Sequence, residues 1–98
     1  MHHFNDVETE LREHPAIAEI ALVGYPDGHG GELPCAVIVP RTSPPTLQEL
    51  QNHLTRRGMT HWYQPRRLEI VPELPRNATG KIRKELLRTW LAGTPPKP

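Results

Sequence analysis

Lys81 is the residue of this sequence that is best placed to do chemistry. It ends the segment Pro75-Arg76-Asn77-Ala78-Thr79-Gly80-Lys81, in which turn-forming and small polar residues lead to a single lysine. A lysine ammonium is a compact positive charge on a flexible stem, which suits a phosphate or a carboxylate. The segment therefore suits electrostatic stabilisation of an anionic group by Lys81, with Pro75, Thr79 and Gly80 in the loop that supports it.

Two other interpretations of this segment compete with that one. A lysine in the first turn of an amphipathic helix is usually a solvated surface residue, although the helix macrodipole disfavours a cation there. The pair Gly80-Lys81 also ends the phosphate-binding P-loop motif, which needs Gly at position 75 and Ser or Thr at position 82. Pro75 and Ile82 stand at those positions. The P-loop is excluded, and the surface lysine stays open on spacing alone.

The apolar pattern predicts the elements that must position Lys81. One helical face repeats after it and predicts a last helix over residues 81–91; its members are Ile82, Leu86, Leu87, Trp90 and Leu91. The other predicted elements are a helix capped by Asn5 or Asp6 and ended by Pro15, strands over 17–23 and 33–39, a helix from a Thr46–Glu49 capping box to Gly58, and a strand over 68–71.

This order of elements predicts an α+β domain, in which helices pack on a small three-stranded sheet. Residues 1–92 make the domain, and the Pro-rich residues 93–98 make a flexible tail. So small a domain offers little concave volume, and no acid–base pair or nucleophile dyad accompanies Lys81. We therefore expect the chain to be inactive alone.

Composition excludes several classes of function. The 98 residues carry a formal charge of +1, and the basic residues are not interleaved with aromatic ones, which argues against a nucleic-acid partner. The six histidines show no metal-ligand spacing, so no metal site is expected. No apolar run approaches the ~20 residues of a membrane span. The single cysteine, Cys35, fits a core residue in a reducing compartment, and a cytoplasmic location is expected.

Four segments, in order, resemble the C-terminal domain of the adenylate-forming (AMP-binding) superfamily, which includes acyl- and aryl-CoA synthetases. Residues 6–17 resemble its "DVE…L…HP-x-I/V" helix, and residues 19–32 resemble "E-A-A-V-V-G-x-P-D…G-E". Residues 65–71 resemble the strand before the final motif, and residues 73–82 resemble "E-L-P-R-T-A-T-G-K-I". The resemblance spans nearly the whole chain.

The resemblance implies the mobile lid of an ATP-dependent acid–thiol ligase. A large N-terminal domain, whose phosphate-loop motifs do not occur in these 98 residues, would bind ATP, magnesium and the carboxylic acid. Lys81 would be the catalytic lysine of carboxylate adenylation. The lid would then rotate and present another face, so that coenzyme A attacks the acyl-adenylate.

Further roles come from the same resemblance. Arg56 and Arg57 lie where some members contact CoA phosphates, although a solvated pair explains them equally well. Lys81 resembles the lysine that acetyltransferases modify in several CoA ligases, and acetylation would remove its charge. Trp62-Tyr63-Gln64 depart from the family pattern before Pro65 and could alter how the lid docks.

Alternatives remain open at this stage. The chain could be a stand-alone binding or regulatory module of the same fold, or the lid of an adenylation domain that loads a carrier protein. The acid that is activated and the oligomeric state are not encoded in these residues.

Overall fold

The computed structural model of the protein describes residues 4–59 and 64–94. Features expected at His2, His3, His61, Trp62, Tyr63 and residues 95–98 lie outside these ranges. The described elements are α1 (Phe4–Arg12), β1 (Ile17–Pro26), β2 (Glu32–Pro40), α2 (Leu47–Arg56), β3 (Arg67–Ile70) and α3 (Lys84–Gly93).

The three strands form one mixed sheet in the order β1-β2-β3. β1 and β2 are antiparallel, with Leu22 opposite Ala36, and β2 and β3 are parallel, with Ala36 opposite Leu68. A parallel neighbour needs a crossover connection, and α2 lies in the segment that makes it. The predicted fold class, a small three-stranded sheet with helices packed on it, is confirmed.

Both faces of the sheet are buried, because apolar residues occupy successive positions of β1 and β2 and alternate between the faces. The first core lies under α1 and α2 and contains Val7, Leu11, Ile17, Ile20, Leu22, Ala36, Ile38, Leu50, Leu54 and Met59. The second lies under α3 and contains Ala21, Val23, Tyr25, Cys35, Val37, Leu74, Leu87 and Leu91. Each fully buried Leu, Ile or Val contributes roughly 1.5–3 kcal/mol to folding.

The start of α2 agrees with its sequence signature. Thr46 Oγ1 accepts a hydrogen bond from Glu49 N at 3.1 Å, and Glu49 Oε1 accepts one from Thr46 N at 3.2 Å. This capping box satisfies two helix-end donors, and such a cap is worth about 1 kcal/mol. The helix is followed by Gly58, whose φ of 82° only glycine adopts at little cost.

Several predicted element boundaries are wrong. Phe4 already lies in the first helix, so Asn5 and Asp6 are residues within the helix instead of residues that precede it. β1 continues to Pro26, because residues 24–26 pair with β2 instead of entering the loop. α3 continues to Gly93, and Thr94 follows it as the cap residue, so the helix extends into the predicted tail.

The largest correction concerns the beginning of α3. Lys81 does not lie in the helix, which begins three residues later at Lys84. Ile82 instead forms an isolated antiparallel β-bridge with Arg76, and Arg83 has a non-helical ψ of 80°. The predicted conflict between Lys81 and the helix macrodipole therefore does not exist.

The predicted apolar face of α3 is also only partly buried. Leu87 and Leu91 belong to the second core, whereas Leu86 and Trp90 are 43% and 39% exposed. A single sheet face can cover only one side of the helix. Leu86 and Trp90 therefore form an exposed apolar pair one turn apart.

Candidate functional site

The loop before Lys81 is folded around the side chain of Asn77. Its Oδ1 accepts three hydrogen bonds, from Thr79 N at 3.0 Å, Thr79 Oγ1 at 2.7 Å and Lys81 N at 3.0 Å. Asn77 N donates to Lys81 O at 2.9 Å, and Gly80 N donates to Asn77 O at 3.0 Å. An asparagine side chain that caps its own turn is a common local device. The backbone of Lys81 is therefore fixed by its own loop.

Gly80 supplies the backbone conformation that closes this loop. Its φ is 87°, in the left-handed region that favours glycine. A Cβ at this position would meet no heavy atom within 4 Å, so the requirement is conformational and not steric. This explains why a glycine directly precedes the lysine.

Arg76 attaches the loop to the sheet. Its Nη1 donates to Gly80 O at 2.7 Å, and its Nη2 pairs with the Glu19 carboxylate of β1. Arg83 N donates to Pro75 O at 2.8 Å, and Ile82 packs against the second core. The loop is thus held at both ends, with Lys81 between the two attachments.

The predicted supporting residues all lie in this loop. Pro75 accepts through its carbonyl, Thr79 donates to Asn77, and Gly80 supplies the turn. Sequence reasoning missed Asn77 and Arg76 as the organising residues. The Asn-x-Thr-Gly pattern was the available signal for Asn77, because asparagine and glycine together favour a side-chain-capped turn.

Lys81 and Lys84 differ sharply in their surroundings. Lys81 is exposed, and its ammonium forms no salt bridge with any residue in the described ranges. The Lys84 ammonium lies 3.0 Å from Glu8 Oε2 and 3.1 Å from Glu8 Oε1. Glu8 is only 3% exposed and also accepts a hydrogen bond from Leu22 N at 2.7 Å. Lys84 is therefore a structural partner of a buried carboxylate, while Lys81 is available to a ligand.

Lys81 borders an open cleft of about 610 Å³, here called the Lys81 cleft. It is lined by Glu8, Arg12, Arg76, Gly80, Lys81, Ile82, Lys84 and Glu85. The lining contains four cations and two carboxylates. A hydrogen bond from Arg83 is the main cause that lowers the pKa of the Glu85 carboxyl, and the nearby charge of Lys81 adds a smaller lowering. The excess of positive charge suits an anionic ligand.

The fold is shared with known proteins. The family model of the AMP-binding enzyme C-terminal domain matches residues 6–81. The chain belongs to this family.

Named relatives of this AMP-binding C-terminal domain include a long-chain-fatty-acid–CoA ligase of Thermus thermophilus, which is 40% identical over 83 residues, and a salicyl-AMP ligase / salicyl-S-ArCP synthetase of Mycobacterium tuberculosis, which is 42% identical over 83 residues. Each alignment covers 85% of this chain and 15% of the relative. The chain thus spans about one seventh of these relatives' length.

A solved structure agrees with this assignment. The apo structure of MbtA from Mycobacterium smegmatis superposes with a TM-score of 0.86 at 39% identity, over 90% of this chain and 17% of that one. The resemblance to the adenylate-forming superfamily is confirmed.

Arg56 and Arg57 lie away from the Lys81 cleft, at the end of α2. Arg57 Nη1 lies 3.0 Å from Glu10 Oε2 and also pairs with Glu13, so its charge is shared between two carboxylates of the α1 region. Arg56 is exposed and forms no salt bridge within the described ranges. Their assignment to CoA phosphates in this AMP-binding domain stays a prediction.

Other candidate groups have structural partners. His14 and His53 meet edge to face with ring centroids 5.1 Å apart, and His53 Nε2 lies 2.9 Å from Glu10 O. Burial raises the pKa of the Cys35 thiol to about 12, so it stays protonated in the core. Within residues 4–59 and 64–94, no group of three potential metal ligands occurs, and no helix has the length and apolarity of a membrane span.

A second cleft of about 450 Å³ lies beside the end of α3. Its buried Arg67 donates to Glu69 Oε2 at 2.8 Å and to Thr94 O at 2.8 Å, and its guanidinium carbon lies 5.2 Å from the centre of the Tyr25 ring. These contacts join β3 to the last described residue of the AMP-binding domain. Arg67 is therefore a structural residue.

Proposed function

We propose that this domain is the mobile C-terminal lid of an ATP-dependent acid–thiol ligase, and that Lys81 is its catalytic cation. The observation that carries the proposal is the loop geometry: the Lys81 backbone is fixed by Asn77, while its ammonium has no carboxylate partner in the described structure. A pre-positioned charge lowers a barrier because it needs no reorganisation during the reaction.

Adenylation is the step that this charge fits. The carboxylate of the acid attacks the α-phosphate of ATP, a bond to phosphorus forms, and pyrophosphate leaves. Negative charge accumulates around the phosphorus as the two anionic groups meet. Lys81 offsets that charge through its ammonium, and ATP, Mg²⁺ and the acid are held mainly by the N-terminal part of the ligase.

The partner of the lid is therefore the N-terminal part of the same enzyme. Leu86 and Trp90 give α3, the helix that follows the Lys81 loop in the chain, an exposed apolar pair, as expected of a helix that docks against another domain. Rotation of the lid away from this contact would withdraw Lys81 and admit the thiol. A cytoplasmic location and regulation by acetylation of Lys81 stay predictions.

The relatives differ in the molecule that accepts the acyl group. A 4-chlorobenzoate–CoA ligase of Arthrobacter, 38% identical over 89 residues, favours coenzyme A, which we propose as the acceptor. The salicyl-S-ArCP synthetase favours a carrier protein as the second candidate. Incubating the complete ligase and its acyl-adenylate with CoA or with a carrier phosphopantetheine separates the two, because only the true acceptor yields a thioester.

The test of the proposed function measures the two half-reactions separately in the complete ligase. Lys81→Ala should slow acyl-adenylate formation by roughly 100- to 1,000-fold, the usual loss of one pre-positioned electrostatic group. Thioester formation from supplied acyl-adenylate should continue. Normal adenylation by the Lys81→Ala enzyme would show that this lysine does not act in the reaction.

A further inference from the structure

The charges around the Lys81 cleft can be matched in pairs. Lys84 pairs with Glu8, and Arg76 pairs with Glu19. Glu85 pairs with Arg83, whose Nε lies 2.9 Å from Glu85 Oε1. Both carboxylates of the lining, Glu8 and Glu85, are therefore in salt bridges, and so are two of its four cations, Arg76 and Lys84.

The other two cations of the lining, Lys81 and Arg12, form no salt bridge with a described carboxylate, and Lys81 acts on Glu85 only at longer range. Neither Lys81 nor Arg12 forms a salt bridge with a residue in the described ranges, and both are exposed. Arg12 is the last residue of α1 and also borders a smaller cleft of about 290 Å³ that shares Arg76 and Ile82 with the first. The uncompensated charge of this surface therefore comes from two different elements, α1 and the Lys81 loop.

We propose that Arg12 and Lys81 together form a binding site for the phosphate groups of a polyphosphate. This inference rests on the proposed function and extends it, because it gives the nucleotide a second contact in the lid. The two side chains differ in a useful way. A guanidinium presents a planar fork of donors to two phosphate oxygens, and an ammonium acts as a movable point charge.

The pairing pattern assigns each cation a role. Arg76 and Lys84 hold the loop and α3 in place through their carboxylates, and a ligand would have to compete with those carboxylates for them. Arg12 forms no salt bridge in the described structure, so it can bind phosphate oxygens without losing a partner. Lys81 can then lie at the reacting phosphorus. The competing explanation is that Arg12 is a solvated cation that stabilises the C-terminal end of α1.

Binding of inorganic tripolyphosphate to the 98-residue chain separates these explanations. Titration at low salt, followed by amide chemical shifts, should move signals of both the α1 end and the Lys81 loop. Arg12→Gln and Lys81→Gln should each weaken binding about fivefold, as expected for an exposed charge contact of about 1 kcal/mol. The control is Arg88→Gln, which removes the same charge from α3 outside the cleft, where Arg88 lies 3.9 Å from Glu32, and should retain the wild-type affinity.

Three results would overturn the proposal: no binding by the wild-type chain, wild-type affinity in Arg12→Gln, or an equal loss in Arg88→Gln, which would indicate diffuse charge attraction. In the complete ligase, Arg12→Gln should raise the KM for ATP about fivefold, with thioester formation from supplied acyl-adenylate unchanged. If Lys81→Ala stops adenylation while Arg12→Gln leaves the KM for ATP unaltered, this inference fails and the proposed function stands.

Discussion

The Lys81 loop and the end of α2 each present a basic residue next to a turn glycine, yet the fold uses these residues differently. Each region has a glycine with positive φ, Gly80 at 87° and Gly58 at 82°. In the loop, hydrogen bonds fix the backbone and leave the ammonium of Lys81 without a carboxylate. At the end of α2, the guanidinium of Arg57 is already paired with Glu10 and Glu13.

This difference shows that the carboxylate partners of a basic side chain, more than its position in the chain, decide whether it is a candidate site. Arg57 joins α2 to the α1 region, and any phosphate would have to compete with two carboxylates for it. Lys81 has a rigid backbone and an unpaired charge, which is the combination that electrostatic catalysis requires. The same criterion separates Lys81 from Lys84, three residues along the chain.

Substitution of the two glycines tests whether the two regions differ in this way. Gly80→Ala and Gly58→Ala should each lower the free energy of unfolding by about 1–2 kcal/mol, because alanine is strained at positive φ. Only Gly80→Ala should also slow adenylation in the complete ligase, on the order of 10- to 100-fold, since it displaces Lys81. Chemical denaturation and a pyrophosphate-release assay measure the two effects. An equal loss of adenylation in both variants would mean that the loop has no special role.

Asn77 tests whether the loop is organised as described. Asn77→Ala removes the acceptor of three donors and should slow adenylation about tenfold, equivalent to about 1.4 kcal/mol of transition-state positioning. Asn77→Asp keeps an acceptor oxygen and should retain more activity than the alanine variant. The test compares the adenylation rates of the Asn77→Ala and Asn77→Asp variants. Indistinguishable rates would show that the side-chain bonds of Asn77 do not position Lys81.

The smallest effects should come from the arginines at the end of α2. Arg57→Gln breaks an exposed ion-pair network and should lower the free energy of unfolding by less than about 1 kcal/mol. Arg56→Gln should leave stability unchanged, because Arg56 forms no salt bridge with a described residue. Adenylation should be normal in both. A raised KM for CoA in either variant, measured in the thioester-forming half-reaction, would support the predicted phosphate contact.

Structural features that are encoded by neighbouring residues were predicted better than features that depend on residues far apart in the sequence. The Thr46–Glu49 capping box is encoded within four residues and is confirmed. Glycine and proline at positions 24 and 26 indicated a loop, but pairing with β2 extends β1 through both. Ile82 fits a helical repeat, although a β-bridge with Arg76 keeps it outside α3.

The parts of the site that sequence reasoning missed depend on long-range contacts. Arg76 pairs with Glu19, 57 positions earlier, and Lys84 pairs with Glu8, 76 positions earlier. No local pattern indicates which of several basic residues will find a carboxylate in the folded chain. The family resemblance pointed to Lys81, but only the folded structure shows which neighbouring cations are paired and that Arg12 lines the same cleft.

The central claim is that Lys81 acts because its charge is unpaired and pre-positioned, and one comparison tests it most directly. Single-turnover formation of acyl-adenylate would be measured for Lys81→Gln and Lys84→Gln in the same complete ligase. Lys81→Gln should lose roughly 100- to 1,000-fold in rate, whereas Lys84→Gln should mainly lower the melting temperature, because it leaves Glu8 buried without its cation. Equal rates of adenylation in the two variants would contradict the claim.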